Sequence, residues 1–178
     1  MIRPISLFSY FFILLFFSNC KKEAVGSKFD YNQKANQVIQ QLIIDNECDC
    51  ILEIPKESLI ELSLSDNPKF DVQKKAITEL HLKNKTELDS LEKLGNNFIL
   101  DSTFLNRQKI KVIKRDSLRE KIDDILFYKK CKKGIISIIK PIFDKNFKTA
   151  LTYSKTIPTC IGSYPDVYIY ENGNWRRK

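Results

Sequence analysis

The hydrophobic positions divide the chain into an apolar run near its start, a helical middle and a strand-rich C-terminal part. Residues 5–17 are apolar except for two serines and a tyrosine. Between positions 35 and 43, apolar residues recur at the i, i+3, i+4, i+7 and i+8 spacing of one helix face. This spacing predicts a helix over residues 31–46 with Asp30 as its N-cap. From Gly134 the apolar period shortens to about two residues, which marks a change from helix to sheet.

In the middle of the chain, individual residues indicate where short helices and strands begin or end. Pro55 follows the first predicted strand, and acidic residues stand where helices could begin. The predicted elements are a strand over 48–54, a helix from Asp71 to about Leu82, a helix opened by an approximate capping box of Thr86 with Asp89 and ended at Gly95, a strand over 110–113, and a helix capped by Asp116.

The C-terminal part predicts antiparallel strands. Asn172-Gly173 suits a type I′ turn, in which both central residues need positive φ, and therefore predicts a hairpin of 168–171 with 174–177. Two strands are predicted before it, over 134–143 and over 147–153. The chain thus predicts an α+β fold, with four or five N-terminal helices packed on a C-terminal antiparallel meander. The single tryptophan, Trp175, is expected to be at least half buried against the helices.

The apolar run near the start is typical of a signal peptide. A helix of that length reaches only about 20 Å, short of the roughly 30 Å hydrocarbon core of a membrane. Phe17-Ser18-Asn19-Cys20 follows, and it resembles the lipobox of bacterial lipoproteins. The resemblance implies cleavage before Cys20, lipid on its thiol and anchoring to a membrane. Lys21 after the cysteine resembles lipoproteins that move on to the outer membrane.

These features predict three parts in the chain. Residues 1–19 are the signal peptide, residues 20–29 are the lipidated cysteine and a flexible tether, and residues 30–178 are a single α+β domain. Without residues 1–19, which hold one basic and no acidic side chain, the net charge of the chain is +7. A domain of this size can bury a core of its own.

The last third of the chain resembles a group of bacterial lipoproteins and envelope proteins. The resemblance implies a helical N-terminal part packed on an antiparallel meander, and it brings no known activity or catalytic residue. The segments that carry it are Phe127-Tyr128-Lys129-Lys130, Gly134-Ile135-Ile136, Lys140-Pro141-Ile142-Phe143-Asp144, Lys148-Thr149-Ala150-Leu151-Thr152-Tyr153, Cys160-Ile161-Gly162 and the closing tyrosine-rich hairpin with its Gly-x-Trp.

Catalytic and metal-binding motifs are sparse. His81 is the single histidine, and Cys48-x-Cys50 lacks the C-x₂₋₄-C spacing that suits zinc, so no metal and no cofactor are predicted. The chain contains no G-x-S-x-G elbow, phosphate loop or dinucleotide fingerprint. Asp123 and Asp124 are adjacent and would point about 100° apart on a helix, so they do not form a catalytic dyad.

The basic segments over 109–121 and 176–178 predict a cationic surface. An exported protein rarely meets nucleic acid, so nucleic acid is not expected as a partner. Attraction to anionic lipid or polysaccharide is a better interpretation of this surface than nucleic-acid binding, and a solvated face without a partner is the favoured one. We therefore expect a non-catalytic, lipid-anchored envelope protein that acts as a binding or interaction module, with an envelope protein or polysaccharide as its possible partner.

Four cysteines remain once Cys20 is assigned to lipid, and in an oxidising compartment they allow three disulfide connectivities. A bond between Cys48 and Cys50 would close a very small ring and is disfavoured. The expected outcome is at least one long-range bond from that pair to Cys131 or Cys160, and four buried free thiols are the alternative. A different function, that of a periplasmic thiol-disulfide enzyme using Cys48 and Cys50, would need an exposed thiol of low pKa.

The lipid anchor leads to a direct test. Replacing the thiol in Cys20→Ser removes the acceptor of the diacylglyceryl group, so lipid labelling and cleavage before residue 20 should both be lost. Metabolic labelling with a radioactive fatty acid and intact-mass measurement of the native protein detect these changes. A native chain that is cleaved elsewhere and has no acyl mass would contradict the anchor.

Overall fold

The computed structural model describes residues 28–66, 71–117, 129–157 and 165–178. In chain order its elements are helix α1 (Lys28–Asn46), strand β1 (Cys50–Leu52), helices α2 (Leu59–Asp66), α3 (Val72–Glu79) and α4 (Lys85–Glu92), a 3₁₀ helix (Lys93–Asn97), helix α5 (Ser102–Arg107), and strands β2 (Lys111–Ile113), β3 (Ile135–Phe143), β4 (Thr149–Ile157), β5 (Asp166–Glu171) and β6 (Asn174–Arg177). This order confirms the predicted α+β class. Of the helices in these ranges, none combines the length and the apolar character that crossing a membrane requires.

The six strands form one mixed sheet in the order β2-β1-β3-β4-β5-β6. Strands β3 to β6 are antiparallel neighbours, as the predicted meander requires. Strand β1 pairs in parallel with both β2 and β3, which the sequence patterns did not indicate. Its three residues are all buried, which is typical of a strand covered on both faces.

Helices cover both faces of the sheet. Ala150 and Tyr168 belong to the core formed with α1, whereas their neighbours Leu151 and Val167 belong to the core formed with α2, α3 and α4. Successive residues of a strand point to opposite faces, so these two cores lie on opposite sides of the sheet. Double coverage explains why β3 is an almost unbroken apolar run.

The helix ends show where local sequence signals were sufficient. Asp71 caps α3 as predicted, because its carboxylate accepts a hydrogen bond from the Lys74 amide at 2.8 Å. The N-cap predicted at Asp30 is wrong, since α1 begins at Lys28 and Asp30 lies within its first turn. The N-cap predicted at Asp116 is wrong as well, since Arg115 and Asp116 are already helical, and the rest of that predicted helix lies in residues 118–128, outside the described ranges.

The capping box predicted at Thr86 and Asp89 is also wrong. The cap of α4 is Asn84, whose side chain accepts a hydrogen bond from the Glu87 amide at 3.1 Å. The Glu87 carboxylate in turn accepts from the Lys83 amide at 2.7 Å. Asn84 has the extended backbone that an N-cap needs, whereas Thr86 is already helical.

Helix α5 was missed by the sequence patterns. Its six residues are too few for a helical repeat of apolar positions to stand out. Its cap is Asp101, whose side chain accepts hydrogen bonds from the amides of Thr103 and Phe104. The short helix nevertheless buries Phe104 and Leu105 in the core with α1.

A β-bulge interrupts β3 close to its end. The pairing with β4 shifts between Ile139, opposite Tyr153, and Ile142, opposite Leu151. Two residues of β3, Lys140 and Pro141, therefore stand where β4 supplies one. Proline cannot donate a ladder hydrogen bond, so its place near the end of the strand is consistent with the bulge.

The C-terminal hairpin has the predicted turn and packs as expected. Asn172 and Gly173 have φ values of 50° and 84°, as a type I′ turn requires. Trp175 is only 4% exposed, which confirms its predicted burial. Its ring centroid lies 5.6 Å from that of Phe143 and 5.1 Å from that of Tyr170. Trp175 thereby joins the edge strand β6 to the core beneath α1.

The burial of Trp175 predicts a large loss of stability on truncation. Trp175→Ala should lower the free energy of unfolding by about 3–5 kcal/mol, because it opens a cavity among aromatic rings. Trp175→Phe should cost much less, since it keeps a ring and removes an indole N–H that has no partner in the described part of the chain. Urea unfolding measures both, and Arg176→Ala at the exposed neighbouring position is the control. Equal costs for Ala and Phe would contradict the packing role.

Candidate functional site

The structure places only part of the predicted cysteine set. Cys20 and Cys160 lie outside the described residues. A disulfide joins Cys50 to Cys131 across 81 positions of sequence, which is one of the long-range pairings that the sequence left open. Both residues are buried, and the bond attaches β1 to the turn that precedes β3.

Cys48 is a free thiol and is buried, with 7% of its surface exposed. Burial raises the pKa of its thiol, and the neighbouring Asp49 carboxylate raises it further. A thiol that attacks disulfides needs the opposite environment, with exposure and a nearby positive charge. Cys48 is therefore a free thiol whereas Cys50 is oxidised in a disulfide, and Cys48 is poorly suited to nucleophilic attack.

Among the described residues, one group of three side chains has metal-ligand atoms within 4.8 Å of one another: Asp49, Cys50 and Cys131. The two sulfur atoms are bonded to each other, so they are not thiolates and the group offers one carboxylate. His81 is exposed in the turn that follows α3 rather than on the helix surface expected for it. The described cysteines and the histidine do not converge on one point.

A buried polar cluster lies at the β3 bulge. Lys140 is 8% exposed, and its ammonium donates hydrogen bonds to the carbonyl oxygens of Lys56 at 2.5 Å and Gly95 at 3.4 Å. Burial lowers the pKa of the Lys140 amine, while nearby carboxylates such as that of Glu61 raise it. The Tyr31 hydroxyl donates to the carbonyl oxygen of Pro141 at 2.8 Å.

The cluster connects the bulge to the loop that contains Lys56 and to the 3₁₀ helix that contains Gly95. Gly95 has to be a glycine here, because a Cβ would come within 2.7 Å of the Tyr31 hydroxyl. Glu92 lies at the end of α4, and burial raises the pKa of its carboxyl although hydrogen bonds from Ser58 and Ile60 lower it. One Glu92 oxygen, Oε1, is buried without a hydrogen-bond partner in the described part of the chain. Perturbed acids and bases can mark active sites, but the donors of Lys140 are directed at main-chain carbonyls of the fold itself.

A second arrangement of polar side chains forms an open cleft of about 310 Å³ at the C-terminal end of α1, which we call the polar cleft. Strands β4, β5 and β6 supply the rest of its lining. Alternate residues of each strand point towards α1, and Tyr168 lies opposite Arg177 in the β5–β6 register. The lining residues are Asp45, Asn46, Ser154, Thr156, Asp166, Tyr168 and Arg177.

Tyr168 is the most buried functional group of the polar cleft. The residue is 3% exposed and lies in the wall of the polar cleft. Burial raises the pKa of this hydroxyl to about 12, with a further increase from Asp166 and Asp45 and an opposing effect of Arg177. At neutral pH the hydroxyl is protonated, so it can both donate and accept a hydrogen bond to a ligand.

Negatively charged groups outnumber positively charged groups around Tyr168. Arg177 forms an ion pair with Asp166, with 2.6 Å between Nη2 and Oδ1. Asp45 is exposed, and one of its oxygens accepts a hydrogen bond from the Gln41 side chain at 2.8 Å. The C-terminal end of α1 adds partial negative charge from its carbonyl groups. The polar cleft is therefore locally anionic within a chain of net charge +8, and it favours a neutral or cationic polar ligand.

An amide-rich cleft of about 380 Å³ lies along the other half of α1, next to Asp101. Its side chains are largely engaged by the protein itself. Asn32 accepts from the Ile99 amide, and Asn36 bonds both the Ile99 carbonyl and the Asp101 amide. Gln40 donates to the Asp101 carboxylate. These amides hold the segment before α5 on α1, so the polar cleft is the better candidate for a ligand.

Sequence reasoning did not identify the polar cleft. Its lining comes from one helix and three strands, and no short motif connects these elements. The available signal was the alternation of Ser154 and Thr156 in β4, where polar residues occupy the face that Ala150 buries. No protein-family model matches the chain, and comparisons with curated proteins and with solved structures found no similar protein.

The raised pKa of Glu92 predicts a pH-dependent effect on stability. A folded-state pKa above the unfolded value means that the folded chain binds more protons in that window, so stability falls as pH rises through it. Glu92→Gln should therefore raise the free energy of unfolding at pH 7 and lose this advantage below the ordinary glutamate pKa. Urea unfolding at pH 4 and pH 7 tests this. Glu171→Gln, at an exposed position, is the charge-matched control, and the same effect in both variants would contradict the role of burial.

Proposed function

We propose that the protein is a lipid-anchored component of the bacterial cell envelope that binds a small polar ligand in the polar cleft without transforming it. The observation that carries the binding role is Tyr168, a residue that is 3% exposed and lies in the wall of an open cleft lined by other polar side chains. A concave surface with a few converging polar groups is the usual form of a small-ligand site, and the Tyr168 hydroxyl can donate and accept a hydrogen bond there.

The anchor is supported by the sequence of residues 5–20. Its apolar run is too short for a stable membrane span and leads directly to Cys20, where the resemblance to a lipobox lies. Lys21 favours the outer membrane as the destination. Both acyl chains of a diacylglyceryl group would bind the bilayer, which gives more durable attachment than a single chain.

The cleft chemistry indicates the ligand class. The hydroxyls of Ser154 and Tyr168 and the side-chain carbonyl oxygen of Asn46, whose amide nitrogen donates to the Leu42 carbonyl oxygen, suit a ligand that has several hydroxyl groups. The negative charge of the polar cleft favours an amino group on that ligand. We propose an amino sugar or a comparable small hydroxylated amine, held by hydrogen bonds and by attraction to Asp45.

The alternative function, a thiol-disulfide enzyme built on Cys48 and Cys50, has less support. Such an enzyme cycles a pair of accessible thiols, with one thiolate stabilised at neutral pH. Cys48 is buried with a raised pKa, and Cys50 is bonded to Cys131 with none of its surface exposed. These observations favour a structural role for the cysteines.

The binding role is tested with a matched pair of sugars. Glucosamine has a protonated amine, whereas N-acetylglucosamine is neutral and otherwise similar, so the purified protein should bind glucosamine several-fold more tightly. Tyr168→Phe keeps the ring and removes the hydroxyl, and it should weaken binding about fivefold, the value of one hydrogen bond. Asp45→Asn should remove the preference for the charged sugar. Isothermal titration calorimetry measures each affinity.

Asp89→Asn removes a carboxylate from α4, on the opposite face of the sheet, and is the control. Its affinity for glucosamine should equal that of the unaltered protein. Unchanged affinity in Tyr168→Phe would contradict the assignment of the cleft. Equal binding of the two sugars, with Tyr168→Phe still impaired, would contradict the amine and leave the cleft as the site.

A further inference from the structure

A cationic surface lies at the β2 edge of the sheet, on residues that belong to two distant parts of the sequence. We call it the basic face. All of its lysines are exposed, and β2 is the outermost strand on this side. The basic face consists of Lys109, Lys111 and Lys114 around β2, and of Lys130, which is helical, with Lys132 and Lys133 in the turn before β3.

The Cys50–Cys131 disulfide brings the two halves of the basic face together. Cys50 lies opposite Lys111 in the parallel β1–β2 register, and Cys131 lies between Lys130 and Lys132. The bond therefore holds the lysine-rich turn beside β2. A hydrogen bond of 2.9 Å from the Lys111 ammonium to the Lys130 carbonyl oxygen also connects β2 to the segment before β3.

The charges of the basic face are not neutralised by ion pairs within the described ranges. The salt bridges found there involve Lys145, Arg177 and Lys178, all of them elsewhere in the fold. Asp49 lies between the two halves of the basic face, and its carboxylate accepts a hydrogen bond from the Lys133 amide at 3.2 Å. Glu53, whose amide bonds the Ile113 carbonyl oxygen, and Asp116 are exposed carboxylates near the Lys114 end of the face, where Arg115 adds a further cation. Six like charges held together raise the local potential, which a polyanion would relieve by displacing small counter-ions.

We propose that the basic face binds an acidic polysaccharide, and that the disulfide is what assembles the binding surface. Lysine ammonium groups act as point charges and do not impose the paired geometry that arginine requires, so they suit a flexible chain with repeated carboxylates. The partner is a linear polymer because the cations follow a strand edge and an adjoining turn. This surface is separate from the polar cleft, and it differs from it in charge sign.

The position of the basic face favours a polymer over the anchoring membrane. It lies at the C-terminal end of α1, where the Lys111 amide bonds the Asp49 carbonyl oxygen. The 19 residues of α1 separate this end from the start of the helix by about 28 Å. With the proposed anchor, the tether would join the domain at that start, so the basic face lies at the opposite end of α1 from the point where the tether joins. This step alone rests on the proposed anchor.

The test compares two triple variants of equal net charge. Lys109, Lys111 and Lys133 are replaced by Gln in one, and the exposed lysines Lys83, Lys85 and Lys93 are replaced by Gln in the other. The probe is polygalacturonate, titrated into the purified full protein, with uncharged dextran as the neutral polymer. The first variant should lose at least about tenfold in affinity and the second should change little. Binding of the unaltered protein should weaken as salt is raised.

Equal losses in the two variants would overturn the proposal, because net charge alone would then explain binding. Binding to polyphosphate in the absence of binding to polygalacturonate would overturn the choice of polysaccharide. A third variant, Cys50→Ser with Cys131→Ser, tests the assembly and should bind several-fold more weakly while circular dichroism reports a retained fold. If that variant unfolds, the native protein is reduced and its thiols are alkylated, and the affinity of this form for polygalacturonate is measured instead. Undiminished affinity in either form would overturn the role of the disulfide.

Discussion

Burial of the apolar face of α1 on the sheet is the interaction on which the rest of the structure depends. Ala35, Val38 and Ile39 have none of their surface exposed, and they pack on the face of the sheet that presents Tyr168 and Trp175. Each buried aliphatic side chain contributes about 1.5–3 kcal/mol relative to an exposed one. This packing sets α1 along β3, so that the start of the helix meets the bulge and its end meets the polar cleft.

The two ends of α1 therefore have different chemistry, because each end meets a different part of the sheet. At the first end, the Tyr31 hydroxyl donates to the Pro141 carbonyl oxygen of the bulge, and the Lys140 ammonium donates to the carbonyl oxygens of Lys56 and Gly95. At the second end, Asp45 and the last carbonyls of the helix face the polar side of β4 and β5. The Tyr31 and Lys140 donors are thus satisfied within the fold, whereas the polar side chains at the second end line an open cleft.

Charge is distributed in a similarly uneven way. The polar cleft has two carboxylates to one guanidinium, and the basic face has six ammonium groups joined by a disulfide. Neither surface follows from the overall net charge of +8, because a net charge does not specify where the 30 basic and 22 acidic side chains lie. Both depend on which strands become neighbours: the parallel β1–β2 pair assembles the basic face, and the β5–β6 hairpin places Arg177 beside Asp166.

By itself the sequence determined the features that arise between near neighbours in the chain. The helical repeat before Asn46, the cap at Asp71 and the Asn172-Gly173 turn are local, because each depends on backbone groups a few residues apart. The cap at Asn84 was as local but was assigned to the wrong residue. Only the tertiary structure decided the parallel pairing of β1, the Cys50–Cys131 bond, the bulge cluster and the polar cleft. These contacts join segments tens of residues apart, and chain-pattern rules do not specify which buried surfaces meet.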